Sequence, residues 1–153
     1  MMSEFSITCS DFNDGEEIPK KFGYKHGNET PTIELHNVPT GTSDVVIIMD
    51  DPDAMKAVGK VWVHWLVCAS TDSPTFPNTI PGSFLILSEG KTDFGEIGYG
   101  GPAPPDGRHT YVFKGYALTA MSQLKEGYSK QELEDAMKGH ILAEAKLTGT
   151  FAP

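Results

Sequence analysis

The stretch 61-VWVHWLVCA-69 contains a single imidazole, His64, among β-branched, aromatic and small apolar residues, and its reading decides the fold. Such a composition favours a strand over a helix. At a period of two, Val61, Val63, Trp65, Val67 and Ala69 fall on one face, and Trp62, His64, Leu66 and Cys68 on the other. Both faces are largely apolar, so the strand is expected to be covered on both sides. Similar runs occur at Phe5 to Thr8, Thr32 to His36, Val45 to Met49, Phe84 to Leu87 and Thr110 to Leu118, separated by clusters of Gly, Pro, Asn and Asp. With 16 glycines and 11 prolines in 153 residues, the chain favours many turns and rules out a helical bundle. The prediction is a mainly β fold, an antiparallel β-sandwich with Greek-key links, forming a single domain over residues 1–153.

One segment breaks the strand pattern. Ser129 followed by Glu132 is a capping box, and Leu133, Ala136, Met137 and Ile141 recur at helical spacing. This predicts one C-terminal helix over about Lys130 to Ala145, containing His140 and packed on the sandwich, before a short final strand at Leu147 to Phe151.

Acidic residues number 21 against 12 basic ones, a net charge of −9 that disfavours nucleic acid and anionic membrane surfaces as partners. Any anionic ligand must therefore be held locally. Met1 to Ser10 lacks a basic segment followed by a long apolar stretch, and no apolar run approaches the ~18 residues of a membrane span. The expectation is a cytoplasmic protein without membrane insertion. Cys9 and Cys68 do not make a disulfide framework; both are expected reduced, with Cys68 in the core.

Three segments carry groups capable of chemistry. Asp50-Asp51-Pro52-Asp53-Ala54 crowds three carboxylates after an apolar strand, which demands compensating donors or cations, although Asp-Pro also starts a solvated turn for backbone reasons alone. His64 lies between large apolar neighbours, either as a functional imidazole or as a hydrogen-bonded core histidine. The third segment, 95-GEIGYGGPAPPDGRHTY-111, is too rich in Gly and Pro for a helix or a central strand. It predicts a stiff, irregular loop whose amides can form an anion-binding nest. It contains no GxxxxGK[ST] P-loop, and prolines stand where a Rossmann helix would begin. His109 and Tyr111, two residues apart, face the same way, so imidazole and phenol can enter one cavity; equally, Tyr111 can be core and His109 surface. His26, His36 and His140 read as structural or solvent-exposed.

Together, DPDA, VHWLV and GYGGPAPPDGRHTYVF, in this order and spacing, resemble the phosphatidylethanolamine-binding protein family, also called Raf kinase inhibitor-like proteins. The similarity runs from about Ile18 through Phe151, and the ending GHILAEAKLTGTF is similar to the bacterial and archaeal branch, so the additional C-terminal helix of animal relatives is not expected. The resemblance implies a small pocket for phosphate, acetate or a phospholipid headgroup. Its ligand-binding residues would be Asp51, Asp53, Trp62, His64, Gly101, Pro102, His109 and Tyr111. It also implies regulatory binding to a kinase or protease, pairing into a homodimer, and no cofactor. Met55 stands where proline is often found, and Thr110 where arginine is frequent, which weakens the basic character of the rim.

The mechanism expected from these groups has Asp51 or Asp53 accepting a hydrogen bond from an imidazole, whose other edge binds the anion together with loop amides. No enzyme activity follows from the sequence. The alternative is a metal-assisted hydrolase with His64, His109, Asp51 and Asp53 as ligands, although their spacing matches no zinc signature. A covalent hydrolase lacks a GxSxG nucleophile, and a purely structural or protein-inhibitory domain with a vestigial cavity is the remaining reading.

Overall fold

In the computed structural model, which describes residues 4–71 and 78–153, the apolar runs become strands. They are Ser6–Thr8 (β1), Ile33–His36 (β2), Asp44–Asp51 (β3), Trp62–Ser70 (β4), Asn78–Ile80 (β5), Leu85–Glu89 (β6), His109–Leu118 (β7) and Ile141–Phe151 (β8). Helices span Ala54–Val58 (α1) and Lys130–Met137 (α2), and Lys20–Phe22 forms a 3-10 turn. The first three residues of the Met1 to Ser10 segment lie outside the described residues.

The strands form two antiparallel sheets, one ordered β1-β2-β5 and the other β6-β4-β3-β7-β8. Ile7, Ile33, Leu35 and Ile80 of the smaller sheet share one core with Val45, Ile47, Met49, Trp65, Val67 and Phe113 of the larger. On the larger sheet's other face, Val46, Ile48, Leu66 and Cys68 pack with Leu133 and Met137 of α2. Strand β3 is therefore buried along its whole length, as a continuous apolar run requires. Each large side chain buried this way contributes about 1.5–3 kcal/mol relative to exposure. Both cysteines are free and buried, and burial pushes the Cys68 thiol up to about 12. Among the described residues, no helix is long and apolar enough to cross a membrane.

Three expectations are corrected. The capping box at Ser129 is present, but α2 stops at Met137 rather than continuing to Ala145. Gly139 there adopts φ +83°, a left-handed conformation that ends a helix, and His140 donates its amide to the Met137 carbonyl in the turn. His140 is thus outside the helix, with Nδ1 3.1 Å from the Thr119 hydroxyl. Second, the last strand is not short: it starts at Ile141 and pairs with β7 from Leu118 back to His109, because β7 offers a free edge of matching length.

The third correction concerns β4. Met49 pairs with Trp65, but the next residue, Asp50, pairs with Val63, and Asp51 with Trp62, so His64 is the extra residue of a β-bulge. Simple alternation placed Val61 and Val63 on the Trp65 face. Instead, Val63 packs against the cluster on the opposite side, and Trp62 stands opposite Asp51.

Candidate functional site

Asp50 and Asp51 are the last residues of β3 rather than part of a turn. Alternation separates them. Asp50 accepts hydrogen bonds from Lys114 (3.3 Å) and Lys130 (3.0 Å), fastening the start of α2 to the sheet. Asp51 instead accepts a 2.6 Å bond from Nδ1 of His109 and a 3.0 Å bond from the amide of Asp53. The carboxylate of Asp53 accepts the Thr110 amide at 2.8 Å. Each crowded carboxylate thus finds its own donor, which satisfies the demand raised by their proximity.

The other ring nitrogen of His109 is also engaged, with Nε2 2.6 Å from a carboxylate oxygen of Asp106. Two carboxylates at these distances favour the form of the ring that donates from both nitrogens, the imidazolium. Burial works against that charge, but the bonds to Asp51 and Asp106 outweigh it and raise the His109 pKa. His64 is the opposite case. Burial holds its pKa below the ordinary value despite the Gly100 carbonyl, which accepts at 2.6 Å from Nδ1, and the nearby charge of Asp51. The site therefore sets an imidazole whose burial favours the neutral form beside one whose carboxylate partners favour the charged form.

Tyr111 lies between them, with its ring centroid 5.1 Å from that of His64 and 6.3 Å from that of His109. The Tyr111 side chain is fully buried, with the Ala103 backbone and the Asp51 carboxylate next to its hydroxyl, while the indole N–H of Trp62 has no hydrogen-bond partner among the described residues. Phe94 meets both Trp62 and His64 edge-on and stacks on Tyr24 at 4.0 Å.

The glycine-rich loop packs by backbone contact. The Gly100 amide donates to the His64 carbonyl at 2.8 Å, that of Gly101 to the Asn28 side-chain oxygen at 2.7 Å, and the Pro102 carbonyl accepts from Tyr24 at 3.0 Å. These two glycine amides are committed within the protein, so the expected anion nest does not use them. The second imidazole edge of His109, expected to be free for an anion, is likewise taken by Asp106.

A hollow of about 580 Å³ opens on the outer side of His109, between Asp53, Met55 and Lys56 on one side and Asp106 and Arg108 on the other. Trp62, His64 and Tyr111 are not among its walls, and Pro102 borders a separate recess of about 80 Å³ beside His26 and Phe151. The structure thus brings Asp51, His64, His109 and Tyr111 together, with Asp53 joined through Thr110 and Trp62 through Phe94. Sequence reading missed Asp106, Phe94 and the Gly100 carbonyl. Of these, only Asp106 left a signal, a carboxylate in an Asp-Gly turn three residues before a histidine.

A model of the phosphatidylethanolamine-binding protein family matches residues 8–152. The chain belongs to this family. It is 37% identical over 147 residues to a UPF0098 protein of Chlamydia trachomatis, covering 95% of this chain and 97% of that one. A UPF0098 protein of Aquifex aeolicus is 39% identical over 148 residues, covering 92% of this chain and 84% of the relative. Among solved structures, a phosphatidylethanolamine-binding protein homologue of Chlamydia trachomatis aligns with a TM-score of 0.82 at 32% identity, covering 96% of each chain. E. coli YbcL, described as a member of the mammalian family, aligns with a TM-score of 0.79 at 26% identity over 97% of this chain and 98% of its own.

In this chain, no group of three or more His, Cys, Asp and Glu among the described residues is placed to hold a metal ion. Of the two histidines offered for the hydrolase alternative, His64 has Nδ1 directed at the Gly100 carbonyl, and His109 has its two nitrogens directed at Asp51 and Asp106.

The two histidines also predict the pH dependence of stability. His109, with its pKa raised on folding, contributes stability that is complete below about pH 6.5 and is lost as pH rises through its folded value. His64, with its pKa lowered, contributes stability that is complete above about pH 6.5 and is lost as pH falls. Urea midpoints should peak near neutrality. His109→Gln should flatten the alkaline limb and His64→Gln the acid limb; unchanged limbs in both variants would contradict the assignment.

Proposed function

We propose that this chain binds a small anion of the phosphate type, as the free ion or as a phosphate ester such as a lipid headgroup, and that it works by binding rather than catalysis. The observation that carries this reading is the imidazolium of His109. It borders the hollow, and its Nε2–H already ends on an anionic oxygen 2.6 Å away. A cationic donor next to an open hollow, with Lys56 and Arg108 in the walls, suits a phosphate oxygen. The family name supports the ligand class. We read the two sheets that share a core as the layers of a β-sandwich, and we place the protein in the cytoplasm; regulation of a kinase or protease, and pairing into a homodimer, belong to the same reading.

Calorimetry with inorganic phosphate at pH 6.5 tests it. His109→Gln, which removes the charge, should weaken binding about tenfold or more. Binding in the wild type should also fade as pH rises through the His109 titration. Absence of heat, and of any chemical-shift change at His109, with tens of millimolar phosphate would overturn the reading.

A further inference from the structure

The two carboxylates on His109 are not equivalent. Asp51 has 4% of its side chain exposed and is anchored by the Asp53 amide, whereas Asp106 has 46% exposed and, among the described residues, bonds only to His109. Asp106 sits between a stiff Pro104-Pro105 pair and Gly107, whose φ of +154° and open surroundings leave room for backbone movement. Asp106 is therefore the partner able to leave, and it occupies the imidazolium edge on the side of the hollow.

We propose that Asp106 is a tethered competitor for the ligand: its carboxylate occupies the Nε2–H of His109 and must swing away before an external anion can take that place. This rests on the anion-binding reading above. The charged groups around the ring are Asp51 and Asp106 in direct contact and Asp53, Lys56 and Arg108 in the hollow walls, with Arg108 also held by Glu17 at 3.1 Å.

The competitor sets specificity. A tethered group acts at an effective concentration of about millimolar or more, so a free monocarboxylate, which offers the same chemistry without the tether, loses the competition. A phosphate dianion brings more charge and additional acceptor oxygens, and can meet Lys56 and Arg108 as well as His109. The device thus selects multiply charged anions against the acetate-like anions that the same imidazolium would otherwise accept.

The test compares wild type with Asp106→Ala and Asp106→Asn by calorimetry at pH 6.5, using inorganic phosphate and acetate separately, while ¹⁵N shifts of the His109 ring report occupancy of Nε2. Glu96→Gln, which removes one negative charge outside the hollow, controls for the general field. Asp106→Ala should bind phosphate about tenfold tighter and should bind acetate where the wild type does not, with Asp106→Asn intermediate because its amide oxygen still accepts. Glu96→Gln should stay within about twofold of wild type. If the wild type binds phosphate and both Asp106 variants bind it equally or less tightly, the competitor is refuted and the anion site stands. If no form binds either anion and the His109 shifts do not move, both fail.

Discussion

Gly101→Ala is expected to cost about 3 kcal/mol or more of stability, among the largest effects of any single substitution in the chain. A Cβ on Gly101 would lie 1.9 Å from the Phe22 carbonyl oxygen and 2.9 Å from the Tyr24 nitrogen. Both are backbone atoms, so no rotamer change relieves the clash. The neighbouring Tyr24–Pro102 and Gly101–Asn28 hydrogen bonds hold the two segments at this separation, so a shift that makes room must break them too. Urea unfolding measures the cost. The same experiment on Gly95→Ala, where φ is +86° but the surrounding space is open, should show only about 1 kcal/mol, the penalty for a left-handed backbone. Equal and small losses in the two variants would mean that the loop does not rest on residues 22–24. Gly101 entered the candidate site as a possible amide donor; its role here is to let two backbones touch.

Asp51→Ala is the second large expectation, about 3 kcal/mol at pH 6, because it strips a buried imidazolium of its better-shielded partner. The loss has a pH signature. Where His109 is charged, the variant must either keep a poorly compensated buried cation or release its proton. At pH 8.5, where release is cheap, the deficit relative to wild type should shrink. Asp106→Ala should destabilise far less at either pH, since its side chain is half exposed and solvent replaces much of what it supplies. A deficit for Asp51→Ala that is the same at pH 6 and 8.5 would show that Asp51 serves the fold through packing or the Asp53 amide alone, not through the charge on His109.

The sheets were legible because their strands are written in unbroken apolar runs. Val45 to Met49 reads as a strand and is one, and Ser129 with Glu132 marks the start of α2 to the residue. The end of that helix was misread because Ile141 fits a helical repeat and a strand equally well, and only the left-handed turn at Gly139, together with the waiting edge of β7, decides between them. The β4 bulge left no mark in its own sequence, since VWVHW alternates well in either register; it becomes visible only against the pairing with β3. At the site, the residues of Asp51, His64, His109 and Tyr111 were readable from three motifs, whereas the direction of each hydrogen bond was not. Gly100 and Gly101 look like free amides in one dimension, and become donors to His64 and Asn28 only once distant segments close on them.

The added residue in β4 carries a practical lesson for transplanting this arrangement. The inner portion of that strand, from Trp65 onward, keeps time with the hydrophobic interior, while Trp62 and His64 obey a phase offset by one step. A protein engineer who copied only the side chains onto a regular ribbon would aim the indole outward, away from the phenol and the two imidazoles. Deleting His64 would remove the extra residue and leave Trp62 in step with Trp65, at the cost of the imidazole, whereas exchanging aliphatic residues farther along can proceed without disturbing where the indole points.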